Sequence, residues 1–145
     1  MDKGLAVFVM AVVGGCIDLQ APINAGLGKS TGSFAAATIS FAVGTVLLVA
    51  IVVFSGKAAG LGDVAGVQWY YLLGGALGAA YVFSALVLVS QIGAGGVAAA
   101  TVTGQLITSV VLDRIGFLGL DQEPLSAERL VGVVLLLAGT FLVVR

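Results

Sequence analysis

The amino-acid sequence predicts an all-α integral membrane protein with five transmembrane helices, and three observations carry that prediction. Between Asp63 and Asp113 no charge occurs over 49 residues, and uncharged windows also cover 4–17, 30–56 and 130–144. The composition is 60% hydrophobic and 9% charged, against roughly a quarter charged in an average soluble domain. Glycine, proline and charge punctuate the chain at intervals that suit a hydrocarbon core about 30 Å thick, which about 20 apolar helical residues cross. A central Asp, Lys or Arg costs about 2.5–3.5 kcal/mol on insertion, so charges collect at span ends.

The five spans are read at roughly 4–28, 32–55, 66–90, 95–115 and 126–144, together one transmembrane domain over 1–145. The opening stretch resembles a signal-peptide core, but it stays apolar from Ala21 to Leu27 and is read as a retained first span. Gly28-Lys29-Ser30-Thr31-Gly32 supplies turn residues and a hydroxyl suited to cap the second helix. A glycine-rich loop, Gly56 to Asp63, precedes the third span, which opens on Trp69-Tyr70-Tyr71. The 49-residue uncharged window is too long for one crossing, and Ile92-Gly93-Ala94-Gly95-Gly96 is where it breaks. The last loop holds Asp121, Glu123 and Pro124, with Ser126 placed to cap the final helix. An odd number of spans puts the termini on opposite sides.

Several function classes are excluded. The chain has no His, a single Cys16, and neither a phosphate loop nor a nucleophile elbow, so no enzyme, cofactor or metal site is expected. Cys16 is read as a small packing residue. A net charge of −1 without a basic cluster argues against nucleic acid and against a polybasic lipid-binding segment. Any function must sit within or between the helices.

The informative residues are polar groups at membrane depth. Asp18 sits near the middle of the first span, where an ionisable side chain handles substrate or protons, or else makes a structural pair or lies at an interface. Gln20 and Asn24 share one helix face, whereas Asp18 is about 200° from Gln20; Pro22 offers a helix distortion that could realign them. The fourth span carries Thr101, Gln105, Ser109 and Asp113 at intervals of four, a polar stripe that must face protein or water. Gln105 is either an interhelical hydrogen bonder or a solute contact. Asp113, followed by Arg114 where the apolar run ends, reads as an interface residue. Trp69 reads as a headgroup anchor or part of a ligand cage. Tyr81 either bonds a buried carbonyl or offers its ring and hydroxyl to a solute. Gly74, Gly75 and Gly78 let a neighbouring helix approach closely, for packing within the chain or as a dimer seam.

Taken together, Leu19-Gln20-Ala21-Pro22-Ile23-Asn24-Ala25-Gly26-Leu27-Gly28, Ser40 to Thr45, Trp69-Tyr70 with Gly74, Gly75 and Gly78, Gly104-Gln105-Leu106 with Asp113 to Gly116, and Arg129 to Gly132 resemble the YdcZ family of short membrane proteins. That family lies within the drug/metabolite transporter superfamily, and the resemblance covers nearly the whole chain. It implies a five-helix half-transporter that pairs antiparallel with itself or with a sister subunit, and it points to Gln20, Asn24, Trp69 and Gln105. Asp18 departs from the pattern, where a small or apolar residue is expected.

The physics is compatible with that picture. Many transporters combine two inverted repeats around a midplane site, and a chain comprising one repeat needs a reversed second copy. Lys3, Lys57, Arg114 and Arg129 fall on one side of the membrane and Lys29 and Arg145 on the other, a bias small enough to leave insertion direction weakly set. The expectation is a multi-pass protein of the inner (plasma) membrane. It would be a proton-coupled exporter of small organic or cationic solutes, with Asp18 carrying the proton and Gln20, Asn24, Trp69, Tyr81 and Gln105 facing the solute. The alternative is a non-transporting membrane subunit that uses its polar stripe for helix association.

Overall fold

The computed structural model describes all residues except Met1, Leu120, Glu123 and Leu125, so Glu123 of the last loop lies outside the described residues. It is helical throughout: α1 Lys3–Thr31, α2 Ser33–Phe54, α3 Leu73–Ile115 and α4 Ala127–Val144, with short 3-10 turns at Ala58–Gly66, Trp69–Leu72 and Phe117–Gly119. No strand occurs among the described residues. Among the described residues four helices are long and apolar enough to cross a bilayer. One of them, α3, is two helices in succession, because Gly93 breaks it with φ 72° and ψ 166°. Its arms, 73–92 and 94–115, are each roughly 30 Å long, one hydrocarbon thickness.

Two glycines make the sharp breaks. Gly32, at φ 82° and ψ 155°, is all that separates α1 from α2, and Gly93 adopts nearly the same angles. Only glycine is comfortable there, since a Cβ clashes with the flanking backbone. Gly32 also closes the hydrogen bonding of both helices: its N–H donates to the Gly28 carbonyl at 2.9 Å, and its carbonyl accepts from Ala36 N–H at 3.0 Å.

The first turn is therefore shorter than the expected 28–32 loop. Lys29 to Thr31 stay helical, and the Thr31 hydroxyl donates back to the Leu27 carbonyl at 3.0 Å instead of capping α2. Likewise the third span starts in 3-10 turns and becomes α-helical only at Leu73. The Ser126 hydroxyl does accept from the Arg129 N–H at 3.2 Å and caps α4.

The chain divides into two compact units, residues 1–87 and 88–145. In the first, α1 and α2 form a hairpin closed by the first arm of α3. Small residues set its spacing: a Cβ on Gly28 would lie 3.7 Å from the Ala36 Cβ and 3.9 Å from Leu86 Cδ1. Ala21, Asn24, Ala36, Ala37, Val82, Ala85 and Leu86 are its buried residues.

In the second unit α4 packs on the start of the second arm of α3. A Cβ on Gly95 would meet Val143 at 3.7 Å, and one on Gly96 would meet Ile92 at 3.1 Å and Val144 at 3.4 Å. Large apolar side chains, among them Leu47, Leu77 and Leu135, point outward along the helices of both units. That is inverted for water and normal for lipid, where helices associate by close packing and hydrogen bonds rather than by expelling solvent.

Candidate functional site

The site begins with α1, which carries its polar residues on successive turns. At 29 residues it is roughly 43 Å long, and Asp18 and Gln20 lie in its middle third. Gln20 and Asn24 are one turn apart on the side that meets α2. With Gly28 opposite Ala36, counting a turn along each helix sets Asn24 level with Ser40 and Gln20 level with Gly44.

A small cavity of about 180 Å³ opens at that level, lined by Gln20, Ser40, Phe41, Gly44, Thr45 and Leu48. It holds an amide and two hydroxyls in the middle of an otherwise apolar hairpin. Gly44 adds no side chain and leaves the space open.

Asn24 is the most telling residue in this hairpin. It is 4% exposed, and its Nδ2 has no hydrogen-bond partner among the described residues. A buried amide left unpaired costs about 1–3 kcal/mol, and native structures retain few such groups. The penalty disappears if a solute supplies an acceptor.

Asp18 has a different setting. Its side chain is exposed, and α1 runs on as helix through Pro22, so the realigning distortion that Pro22 could have supplied does not interrupt the helix. Pro22 lacks the N–H that would bond the carbonyl four residues back. The Asp18 carbonyl thus loses its helical donor on the very residue that carries the carboxylate.

The remaining expected residues lie apart from this cavity. Trp69 is 72% exposed and stands at the head of α3 in an aromatic cluster, with ring centroids 6.3 Å from Tyr70 to Trp69 and 4.6 Å from Tyr70 to Tyr71. That is the arrangement of a headgroup belt. Tyr81 is half-buried on the first arm of α3, outside the cavity lining.

Gln105 belongs to the second unit and is exposed, as is Ser109, while Thr101 is half-buried. Asp113 pairs with Arg129 at 3.2 Å, joining the end of α3 to the start of α4. No group of three or more His, Cys, Asp or Glu that could hold a metal ion occurs among the described residues.

Two polar pairs have no site role in the sequence reading. Ser40 and Thr45 stand in the uncharged α2, which also carries Ser33 and Thr38, and become a signal once α1 and α2 are known to pair. Thr103 and Thr140 form the polar seam of the second unit. Their hydroxyls lie 2.6 Å apart, Thr103 is also 2.8 Å from the Ala99 carbonyl, and Thr140 is 3.0 Å from the same carbonyl.

Comparison with known proteins agrees with this architecture. A family model described as "Putative inner membrane exporter, YdcZ" matches residues 5–142. The inner membrane protein YdcZ of Escherichia coli (strain K12) is 36% identical over 104 residues, which cover 71% of this chain and 69% of that protein. No solved structure matches the chain. With its apolar crossings, its polar hairpin cavity and a match over nearly its full length, this multi-pass inner-membrane protein belongs to the YdcZ family.

Proposed function

We propose that the chain is a secondary exporter of small organic or cationic solutes that works by alternating access as an antiparallel pair of identical copies. The observation that carries this reading is the buried Asn24 amide, which lacks a partner and lies one turn from the Gln20, Ser40 and Thr45 cavity. A protein retains such a group where a bound molecule completes its hydrogen bonding.

Proton coupling falls to Asp18. An exposed carboxylate in the middle of a span is not stable against hydrocarbon, so water or another protein surface covers it. In the proposed cycle the carboxylate takes a proton in one state and releases it in the other. The neighbouring Asp18 carbonyl, deprived of its helical donor by Pro22, accepts from the incoming group.

A reversed second copy supplies the missing cover. The outward stripe of Gln105 and Ser109 favours the same arrangement, since it too must meet protein or water. A sister subunit would serve equally for this purpose.

Proteoliposomes test the coupling. Asp18→Asn should abolish proton-linked solute movement while leaving the dimer intact by crosslinking, and undiminished coupling would remove Asp18 from the cycle. Orientation is read separately in intact cells with a cysteine at either terminus in a Cys16→Ser background. Labelling of both termini from both sides establishes dual insertion, whereas one-sided labelling rules out the antiparallel pair of identical copies.

The exposed Gln105 also favours a second reading, a helix-association subunit without transport. Here Gln105→Leu weakens assembly, and the purified protein moves no solute.

A further inference from the structure

A second and larger cavity, about 530 Å³, adjoins the polar one in the first unit. Its walls are Phe34, Ala37, Thr38 and Phe41 from α2, and Ala79, Ala80 and Phe83 from the first arm of α3. The Phe34 and Phe83 rings stack with centroids 4.4 Å apart and planes 17° from parallel. Alanines opposite the rings leave the open space. The one hydroxyl in the lining, that of Thr38, donates to the Phe34 carbonyl at 2.9 Å, so the wall has no donor to spare. The volume falls in the range of small-molecule sites.

Phe41 lines both cavities. Gly78 fixes it: a Cβ there would sit 3.6 Å from Phe41 Cζ, so the ring lies against the α3 backbone. On one side of that ring are aromatic and small apolar groups, with the single Thr38 hydroxyl turned back onto its own helix. On the other are the Gln20 amide and the Ser40 and Thr45 hydroxyls. Neither lining contains a charge.

We infer that the two cavities form one binding site for a neutral amphipathic solute. Its aromatic or apolar body occupies the Phe34–Phe83 chamber, its hydrogen-bonding head reaches Gln20, Ser40 and Thr45, and Phe41 is the partition between them. Charge is selected against because an ion held against these uncharged walls would meet only neutral dipoles, which do not repay the hydration it gives up. The inference narrows the solute class of the proposed exporter and rests on that reading only for what happens to the solute after it binds.

The test uses the full chain in lipid nanodiscs and three probes of similar size: tritiated N-benzylacetamide, n-butylbenzene and benzyltrimethylammonium. Equilibrium binding should be saturable for the amide and at least tenfold weaker for the other two. Ser40→Ala and Gln20→Leu should each weaken the amide about fivefold, the effect of one lost hydrogen bond, and leave butylbenzene unchanged. Phe83→Ala should weaken amide and butylbenzene alike, by about tenfold. Phe41→Leu, a mild change for the fold, should erase the preference for amide over butylbenzene.

Equal binding of amide and butylbenzene by the unmodified chain marks a lipid-chain groove and overturns the site. Tighter binding of the ammonium probe marks a cation cage of phenylalanines and overturns it as well. Binding is measured without a gradient, so it is independent of transport. The expected pattern without any efflux retains the site and sinks the exporter, whereas efflux with binding indifferent to Phe83→Ala and Ser40→Ala sinks the site alone.

Discussion

Among the described residues each of the two units buries one polar side chain, and the two are treated in opposite ways. Thr103, in the second unit, is 6% exposed and shares its hydroxyl with Thr140 and with the Ala99 and Leu136 carbonyls. Asn24, in the first, is equally buried and its Nδ2 has no partner among the described residues. A buried group with every bond made contributes to holding helices together; a buried group with a bond missing is a standing cost. The contrast separates a unit built for cohesion from one that keeps an unfilled valence beside two cavities.

The sharpest way to break that contrast is to remove the amide. Asn24→Leu keeps the side-chain shape and deletes the unpaired donor, so stability in detergent should rise by about 1–3 kcal/mol. Export should fall at least tenfold, read as the extracellular solute pool of expressing cells. A mutation that stabilises and inactivates together marks a functional group. If Asn24→Leu instead destabilised the chain and left export intact, Asn24 would be an ordinary packing residue like Thr103.

How much of this could be read from the sequence differs between the units for the same reason. The all-helical apolar character, the break at Gly93 and the Ser126 cap are local properties, set by a few consecutive residues, and the sequence displays them. Gln20 and Asn24 are also visible, because polar side chains stand out against an apolar run. Pairing is not local. Thr103 lies about 200° around α3 from Thr101, so the visible stripe of Thr101, Gln105 and Ser109 marks the outward side while the inconspicuous Thr103 meets Thr140 across 37 residues of chain. Ser40 and Thr45 acquire meaning only when the Gly28–Ala36 contact fixes which turn of α2 faces which turn of α1. The extra helical turn through Lys29 to Thr31 was hidden because loop-favouring residues were overridden by Gly32, which alone makes the reversal.

A second measurement sharpens the comparison through the backbone. Gly93→Ala places a Cβ in a region that only glycine occupies without strain, and should cost about 1–3 kcal/mol. Gly32→Ala should cost the same, since its angles are nearly equal. The consequences should differ: Gly32 sets the register of the hairpin that carries Gln20 and Asn24, so its substitution should also reduce binding of the amide probe. Loss of stability without loss of binding at Gly32 would detach the turn from the site.

Thr103→Val should cost about 0.6 kcal/mol and not more than about 1.7, the range for interhelical hydrogen bonds in membrane proteins. Thr140 keeps the Ala99 carbonyl as a partner, so no new unpaired group is created. Export should be unchanged. A drop in export comparable to that of Asn24→Leu would mean that the second unit's seam is part of the moving machinery.

The smallest effect belongs to the Asp113–Arg129 pair, and its size follows from where it sits. Both side chains are about a third exposed, 35% for Arg129 and 36% for Asp113, at the end of α3 and the first turn of α4, where the apolar runs give way to polar loop. Water there competes for both ions, so the 3.2 Å contact should contribute less than about 1 kcal/mol. Asp113→Asn therefore lowers stability by a few tenths of a kcal/mol at low salt, and the difference from the unmodified chain should vanish near 1 M salt, where the screening length is about 3 Å. Asp18 provides the control. If Asp18 carries the proton as proposed, substituting this mid-span carboxylate should abolish coupling at low and high salt alike, because its part in the cycle is the proton it carries and not a screened surface contact. A salt-insensitive loss at Asp113 of more than about 2 kcal/mol would place that pair inside a protein interface and make it, rather than the outward stripe, the first candidate for contact with a second copy.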